Sequence, residues 1–253
     1  MIAKIRVAGA TEVIPIGVNW AEADRYLREE ILAKDPNGVY VPPFDDLRIW
    51  EGNSTMVEEM AQQLGGERLD AIVCSVGGGG LLRGVGWGLD SLATKSDPHW
   101  KDVAVLAVET HGADSLSESL IQKKHITLPA ITSIATSLGA PRVAEDVYLY
   151  AQRRNVKSVV LSDAEAAMGC WRFADDERII VEAACGASIA LCYDGRLKNL
   201  IPGLTKESKV VIVVCGGVNV TLDVLAGYRE TYGSVEKVAT NDREVPSTVS
   251  APR

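Results

Sequence analysis

The stretch Ala71-Ile72-Val73-Cys74-Ser75-Val76, then Gly77-Gly78-Gly79-Gly80, then Leu81-Leu82-Arg83-Gly84-Val85-Gly86 constrains the fold more than any other. A short apolar run reads as a buried strand, and a Leu-rich segment with small residues reads as the start of a helix. The glycines between them remove every side chain from the turn. Bare backbone lets several N–H groups point at one anion, and the helix start adds its positive dipole end. The expected ligand is a phosphate. The other reading is a tight strand-to-helix turn without a ligand. Such a turn needs only one or two glycines, and each further one costs roughly 0.5–1 kcal/mol of ordering entropy relative to alanine.

Spacing narrows the kind of phosphate. The dinucleotide fingerprint needs Gly at n, n+2 and n+5, but the third position is Leu82 when counted from Gly77 and Arg83 when counted from Gly78. The nucleoside-triphosphate loop ends in Gly-Lys-Ser/Thr, whereas Gly84 is followed by Val85 and Gly86. A nucleotide is therefore disfavoured.

Around this turn, helices and strands alternate. The chain opens on a helix closed by Gly9, with a strand expected at Glu12 to Ile16, a helix from Trp20 and a strand at Val39 to Val41. A helix is expected from Ser54 to Leu64, a strand from Val103 to Val108, and helices at Ser115 to Lys123 and Arg142 to Arg153. A strand at Ser158 to Leu161 precedes helices at Ala164 to Ala174 and Ala183 to Tyr193. A strand from Val210 to Cys215 then feeds a last helix through Tyr228. This alternation implies a parallel sheet covered on both faces, a three-layer α/β domain. Ligands on such sheets bind at the carboxyl ends of the strands, where Gly77 to Gly80 and Gly216-Gly217 both fall and can face one site. The expected division is residues 1–39 as the remnant of a smaller lobe, 40–232 as the main domain and 233–253 as a disordered polar tail.

With 26 Lys plus Arg against 34 Asp plus Glu, the net charge of −8 argues against a nucleic-acid partner. No apolar stretch approaches the roughly 20 residues of a membrane span, and the first residues lack a secretory pattern, so a cytoplasmic protein is expected. Cys74, Cys170, Cys185, Cys192 and Cys215 show no Cys-x-x-Cys spacing and read mostly as buried, reduced thiols. His99, His111 and His125 have no zinc-ligand spacing.

Five segments in order resemble one family. They are Ser75 to Leu81, Val108-Glu109-Thr110-x-Gly112-Ala113-x-Ser115, Thr136-Ser137-Leu138-Gly139, Glu182 to Ala187, and Val214-Cys215-Gly216-Gly217. Together they resemble the catabolic L-serine/threonine dehydratases, pyridoxal-phosphate (PLP) enzymes of the tryptophan-synthase-β-like fold, over roughly residues 1–230. The resemblance implies β-elimination of serine, with threonine as second substrate, to pyruvate or 2-oxobutanoate and ammonia. It implies a cofactor site of Gly77, Gly78, Gly79, Gly80, Leu81, Cys215 and Gly216, with Cys215 facing the pyridine nitrogen. It further implies a potassium or divalent cation held by Glu109, Ala113 and Ser115 and by carbonyls near Leu138 and Ala140, a hard-cation oxygen set. The bland readings are that Cys215 is a small core residue and that Glu109 ends a strand and caps the next turn. A small amino-acid substrate and a homodimer also follow from the resemblance.

The sequence departs from the family in one respect. The family's Ser-x-Lys-x-Arg segment, whose lysine forms the Schiff base, and its Ser-Gly-Asn substrate loop do not occur here, and neither Lys4 nor Lys34 has such surroundings. No catalytic lysine is therefore assigned. The expectation is an N-terminally truncated form of the fold, as an enzyme fragment or mis-started reading frame. The alternatives are a catalytically silent PLP- or phosphate-binding homologue, a serine racemase or a threonine dehydratase.

Overall fold

The computed structural model describes residues 2–17, 20–153, 155–193 and 195–242. Helices α1 (Ile2–Val7) and α2 (Trp20–Tyr26) are followed by α3 (Leu47–Leu64), β1 (Ala71–Ser75), α4 (Gly80–Lys95) and β2 (Ala104–Thr110). Next come α5 (Ser115–Ile121), α6 (Glu145–Tyr150), β3 (Val156–Leu161), α7 (Asp163–Glu177), α8 (Ala183–Ala190), α9 (Arg196–Leu200), β4 (Val210–Ile212) and α10 (Leu222–Asp242).

The four strands form one parallel sheet in the order β3-β2-β1-β4. Strand periodicity sends alternate side chains to opposite faces. Ile72 and Cys74 of β1, with Val76 just beyond it, join Val105 and Ala107 of β2 in a core with Trp50 and Val57 of α3, Leu82, Val85 and Leu89 of α4, and Val147 and Tyr150 of α6. Ala71, Val73, Leu106 and Val108 face the other way, against Ala166 of α7 and Ala183, Ala184, Ala187 and Ala190 of α8. Leu225 of α10 packs outside that pair, on Cys170 and Ile189. This is the three-layer α/β arrangement expected from the alternation.

Several local expectations change. Residues 12–16 and 39–41 form no strand, and Val39 and Val41 are 79% and 72% exposed. Their β-branched side chains carry the strand signal, but no described strand offers them a ladder, and a strand without a partner gains nothing. The helix from Trp20 widens after Tyr26 into a π turn (Leu27–Ile31) and then tightens into a 3-10 turn (Leu32–Lys34). α3 begins at Leu47 rather than Ser54 because the Asp46 carboxylate accepts the Arg48 N–H as its N-cap. β4 stops at Ile212, although the Val213 N–H still reaches Val73 O at 2.9 Å. α10 continues to Asp242, so residues 233–242 of the expected tail are helical; the first proline beyond them is Pro246. Residues 243–253 lie outside the described residues.

Candidate functional site

β1 and β4 are hydrogen-bonded neighbours running parallel, so the turn after each opens on the same edge of the sheet. Gly77 to Gly80 leaves β1 there and enters α4, a helix of 16 residues whose N-cap is Gly79 at φ +90°. Gly78, Gly79 and Gly80 are buried. Arg83 N–H makes the first helical bond, to Gly79 O at 2.9 Å, and Val76 N–H reaches Val108 O. The amides from Gly77 to Leu82 between them donate to nothing among the described residues. A row of inward amides at a helix N-terminus, without acceptors, fits a phosphate group in donor type and in charge.

The protein itself also requires the glycines. A Cβ on Gly78 would overlap the Phe44 ring; on Gly79 it would lie 2.5 Å from Val147 Cγ1, on Gly80 2.9 Å from Phe44 Cα, and on Gly77 3.1 Å from Ser137 O. Beside the ligand expected from the four glycines there is thus a second reason for them: close approach of Phe44, Val147 and the 136–138 turn excludes side chains there. The evidence for an anion is the unpaired amides.

Cys215 stands three residues past β4, open to solvent. Burial of part of its thiol, then the neighbouring Cys185 and Glu182, raises its pKa above the ordinary value, so it is a neutral S–H at pH 7. The turn that follows passes through Gly216 (φ +83°) and Gly217 (φ +112°), both left-handed. Glu182 Oε2 accepts the N–H groups of Val218 and Asn219, each at 3.1 Å, and Asn219 Nδ2 donates to Ser137 Oγ at 3.1 Å. Ser137 belongs to the 3-10 turn Thr136–Leu138 that abuts Gly77. Thus one chain of contacts links the glycine turn, Ser137, Asn219 and the Cys215 turn. All five cysteines are free; Cys192 is exposed, while Cys74, Cys170 and Cys185 are buried. Burial pushes the Cys74 thiol up to about 12.

Of the residues expected to hold a cation, Glu109, Ala113 and Ser115 lie at the exit of β2 and the start of α5. Glu109 is fully buried, with Oε1 accepting the Leu116 N–H at 2.9 Å and Oε2 the Ser117 N–H at 2.8 Å. Burial pushes its carboxyl up to about 8 against those two amides. The Glu109 side chain therefore caps the first turn of α5. Ala113 and Ser115 are buried beside it in sequence, and Ser115 O accepts the Ser119 hydroxyl. Leu138 and Ala140 lie on the 136–140 turn, where Leu138 O accepts the Ala140 N–H at 2.7 Å. Among the described residues no three His, Cys, Asp or Glu side chains group as a metal site.

Three contributors escaped the sequence reading. Phe44 and Val147 close the glycine turn from distant segments, which no local pattern reveals. Glu182 stands inside a motif already quoted, yet its partners lie 36 and 37 residues further on.

The family model for pyridoxal-phosphate dependent enzymes matches residues 1–216. An L-serine dehydratase of Saccharomyces cerevisiae (strain AWRI1631) is 44% identical over 230 residues, 86% of this chain and 66% of that protein. An L-serine dehydratase/L-threonine deaminase of Bos taurus is 40% identical over 240 residues, 92% of this chain and 69% of that protein. The crystal structure of a fungal L-serine ammonia-lyase from Rhizomucor miehei superposes with a TM-score of 0.82 at 37% identity, covering 91% of this chain and 70% of that one. The chain spans about two thirds of the length of the curated relatives it matches. Among the described residues no helix is long and apolar enough to cross a membrane.

Proposed function

The chain belongs to the pyridoxal-phosphate dependent enzymes, and on that premise we propose that these residues form the cofactor-holding part of an L-serine ammonia-lyase that also accepts L-threonine. The observation that carries the reading is the set of unpaired amides from Gly77 to Leu82, on the same sheet edge as Cys215. The relatives' names supply the substrate class.

Bound pyridoxal phosphate supplies an electron-withdrawing pyridine ring. The chain's own part is to place it. The amides of Gly77, Gly78, Gly79, Gly80 and Leu81, with the dipole of α4, bind the phosphate, and Gly216 leaves the ring edge clear. Cys215 offers its neutral S–H to the pyridine nitrogen. A thiol is a far weaker acid than the carboxylic acid of an Asp, so the nitrogen stays largely unprotonated and the ring withdraws less strongly. That favours prompt loss of the β-hydroxyl. Held by the amides of the glycine turn, the cofactor's phosphate would supply a proton donor to the site. Glu109, Ala113, Ser115, Leu138 and Ala140 are proposed to take a potassium or divalent cation that stiffens the wall beside Gly77.

The reading extends to a cytoplasmic homodimer, with residues 1–39 part of a smaller lobe and 40–232 the large domain. Ammonia release from L-serine and L-threonine by the protein expressed from its full coding sequence tests the function. Serine is expected to give the larger kcat/KM, and a clear threonine preference overturns the choice of substrate.

A further inference from the structure

We propose that Glu182 is a positioning residue that clamps the turn after β4 and thereby sets Cys215 against the cofactor; the cofactor part of this inference rests on the function proposed above. Glu182 is the N-cap residue of α8, yet its side chain makes no capping bond to that helix. The carboxylate is turned outward onto the 216–219 turn instead. Oε2 takes both the Val218 and the Asn219 N–H, and the residue's own N–H donates to Gly216 O at 3.0 Å. Its Cγ lies where a Cβ of Gly217 would be, so the left-handed glycine is needed for the side chain to lie flat on the turn.

This grip matters because the segment lies open to solvent. Val214, Cys215, Gly217, Val218 and Asn219 are exposed, and short exposed turns open at low free-energy cost. Among the described residues the other side-chain anchors are the Cys185 thiol, which takes backbone hydrogen bonds from Gly216 and Cys215, Asn219 on Ser137 at 3.1 Å, and Lys4 Nζ on Val218 O at 3.5 Å. Two amides on one carboxylate oxygen are charge-assisted bonds, stronger than the neutral Asn219–Ser137 bond and, at 3.1 Å each, shorter than the Lys4 contact. The same carboxylate is one of the groups that keep the Cys215 thiol neutral. Glu182 thus helps fix where Cys215 stands, without touching the phosphate turn.

The test uses the 253-residue chain carrying Cys192→Ser, which leaves Cys215 as the exposed thiol. Three quantities are read: the rate of Cys215 with an aromatic disulfide reagent, the affinity for PLP, and the affinity for inorganic phosphate. Glu182→Ala is expected to raise the thiol rate and weaken PLP, each by about tenfold, the scale of one lost charge-assisted bond. Phosphate, which needs only the glycine turn, should bind as before. Glu182→Gln keeps a neutral oxygen acceptor and should restore both values in part. Val218→Pro, which deletes one donor and leaves α8 untouched, should reproduce the faster thiol reaction and serves if the alanine variant does not fold. An unchanged thiol rate in Glu182→Ala or Val218→Pro overturns the clamp. So does a parallel loss of phosphate and PLP, which would mean general collapse of the site. If the parent chain binds neither ligand, the cofactor reading fails alone, and the thiol rate still judges the clamp.

Discussion

Gly79 stands so close to Val147 that a Cβ on the glycine would lie 2.5 Å from the valine Cγ1. The contact joins the turn after β1 to α6 and fixes the position of the unpaired amides. Gly79 is also left-handed, at φ +90°. Gly79→Ala therefore meets two penalties, about 1–2 kcal/mol for the backbone and about 1–3 kcal/mol for overpacking. Urea unfolding should show a loss of about 2–5 kcal/mol, partly recovered by adding Val147→Ala. An unchanged midpoint would mean that the turn is not packed as described.

The N-terminus of α7 gives a pH prediction. Glu165 completes a capping box, accepting the Ser162 N–H and hydroxyl, and pairs with Arg196 at 2.6 Å. Burial opposes ionisation, but the Ser162 bonds and Arg196 outweigh it and hold the carboxyl below its ordinary value of 4.5. A depressed folded-state pKa contributes stability that is complete above the unfolded value and is lost as pH falls through the folded one. Stability should fall from about pH 5 downward. Glu165→Gln should cost about 1 kcal/mol at neutral pH and flatten that acid limb, as read by unfolding midpoints from pH 3 to 7. An acid limb as steep in the variant as in the parent would count against the assignment.

Glu109 separates a cap from a cation ligand. Both readings predict that Glu109→Ala destabilises, by about 1–3 kcal/mol, because two buried amides on α5 lose their acceptor. Only the cation reading predicts that potassium or magnesium raises the melting temperature of the parent and not of the variant. Equal response of both chains, or none in either, leaves Glu109 as a cap.

Legibility in the sequence follows the range of the interactions. β1, the glycine turn and α4 were readable because strand burial, turn chemistry and helix start are written in consecutive residues. The Ser162-x-x-Glu165 cap is equally local and marks the helix start one residue before the expected Ala164. By contrast, the apolar residues at 12–16 and 39–41 look like strands, and only the absence of a pairing strand among the described residues decides otherwise. The glycines were legible as glycines, but their reason was not: Phe44 and Val147 approach from segments 34 and 68 residues away from Gly78 and Gly79, respectively (78 − 44 and 147 − 79). Glu182 was visible within a motif and silent as to role, because its bonds cross from α8 to the turn after β4.

The central claim is that the amides from Gly77 to Leu82 form a phosphate site for PLP in this chain. Its most direct test is a spectrophotometric titration of the 253-residue chain with PLP, repeated in the presence of inorganic phosphate. The expected result is saturable, reversible binding that phosphate competes away, with chain mass unchanged after borohydride treatment and no ammonia released from serine, since no Ser-x-Lys-x-Arg lysine is present. Absence of saturable binding, or binding that phosphate does not displace, would contradict the site.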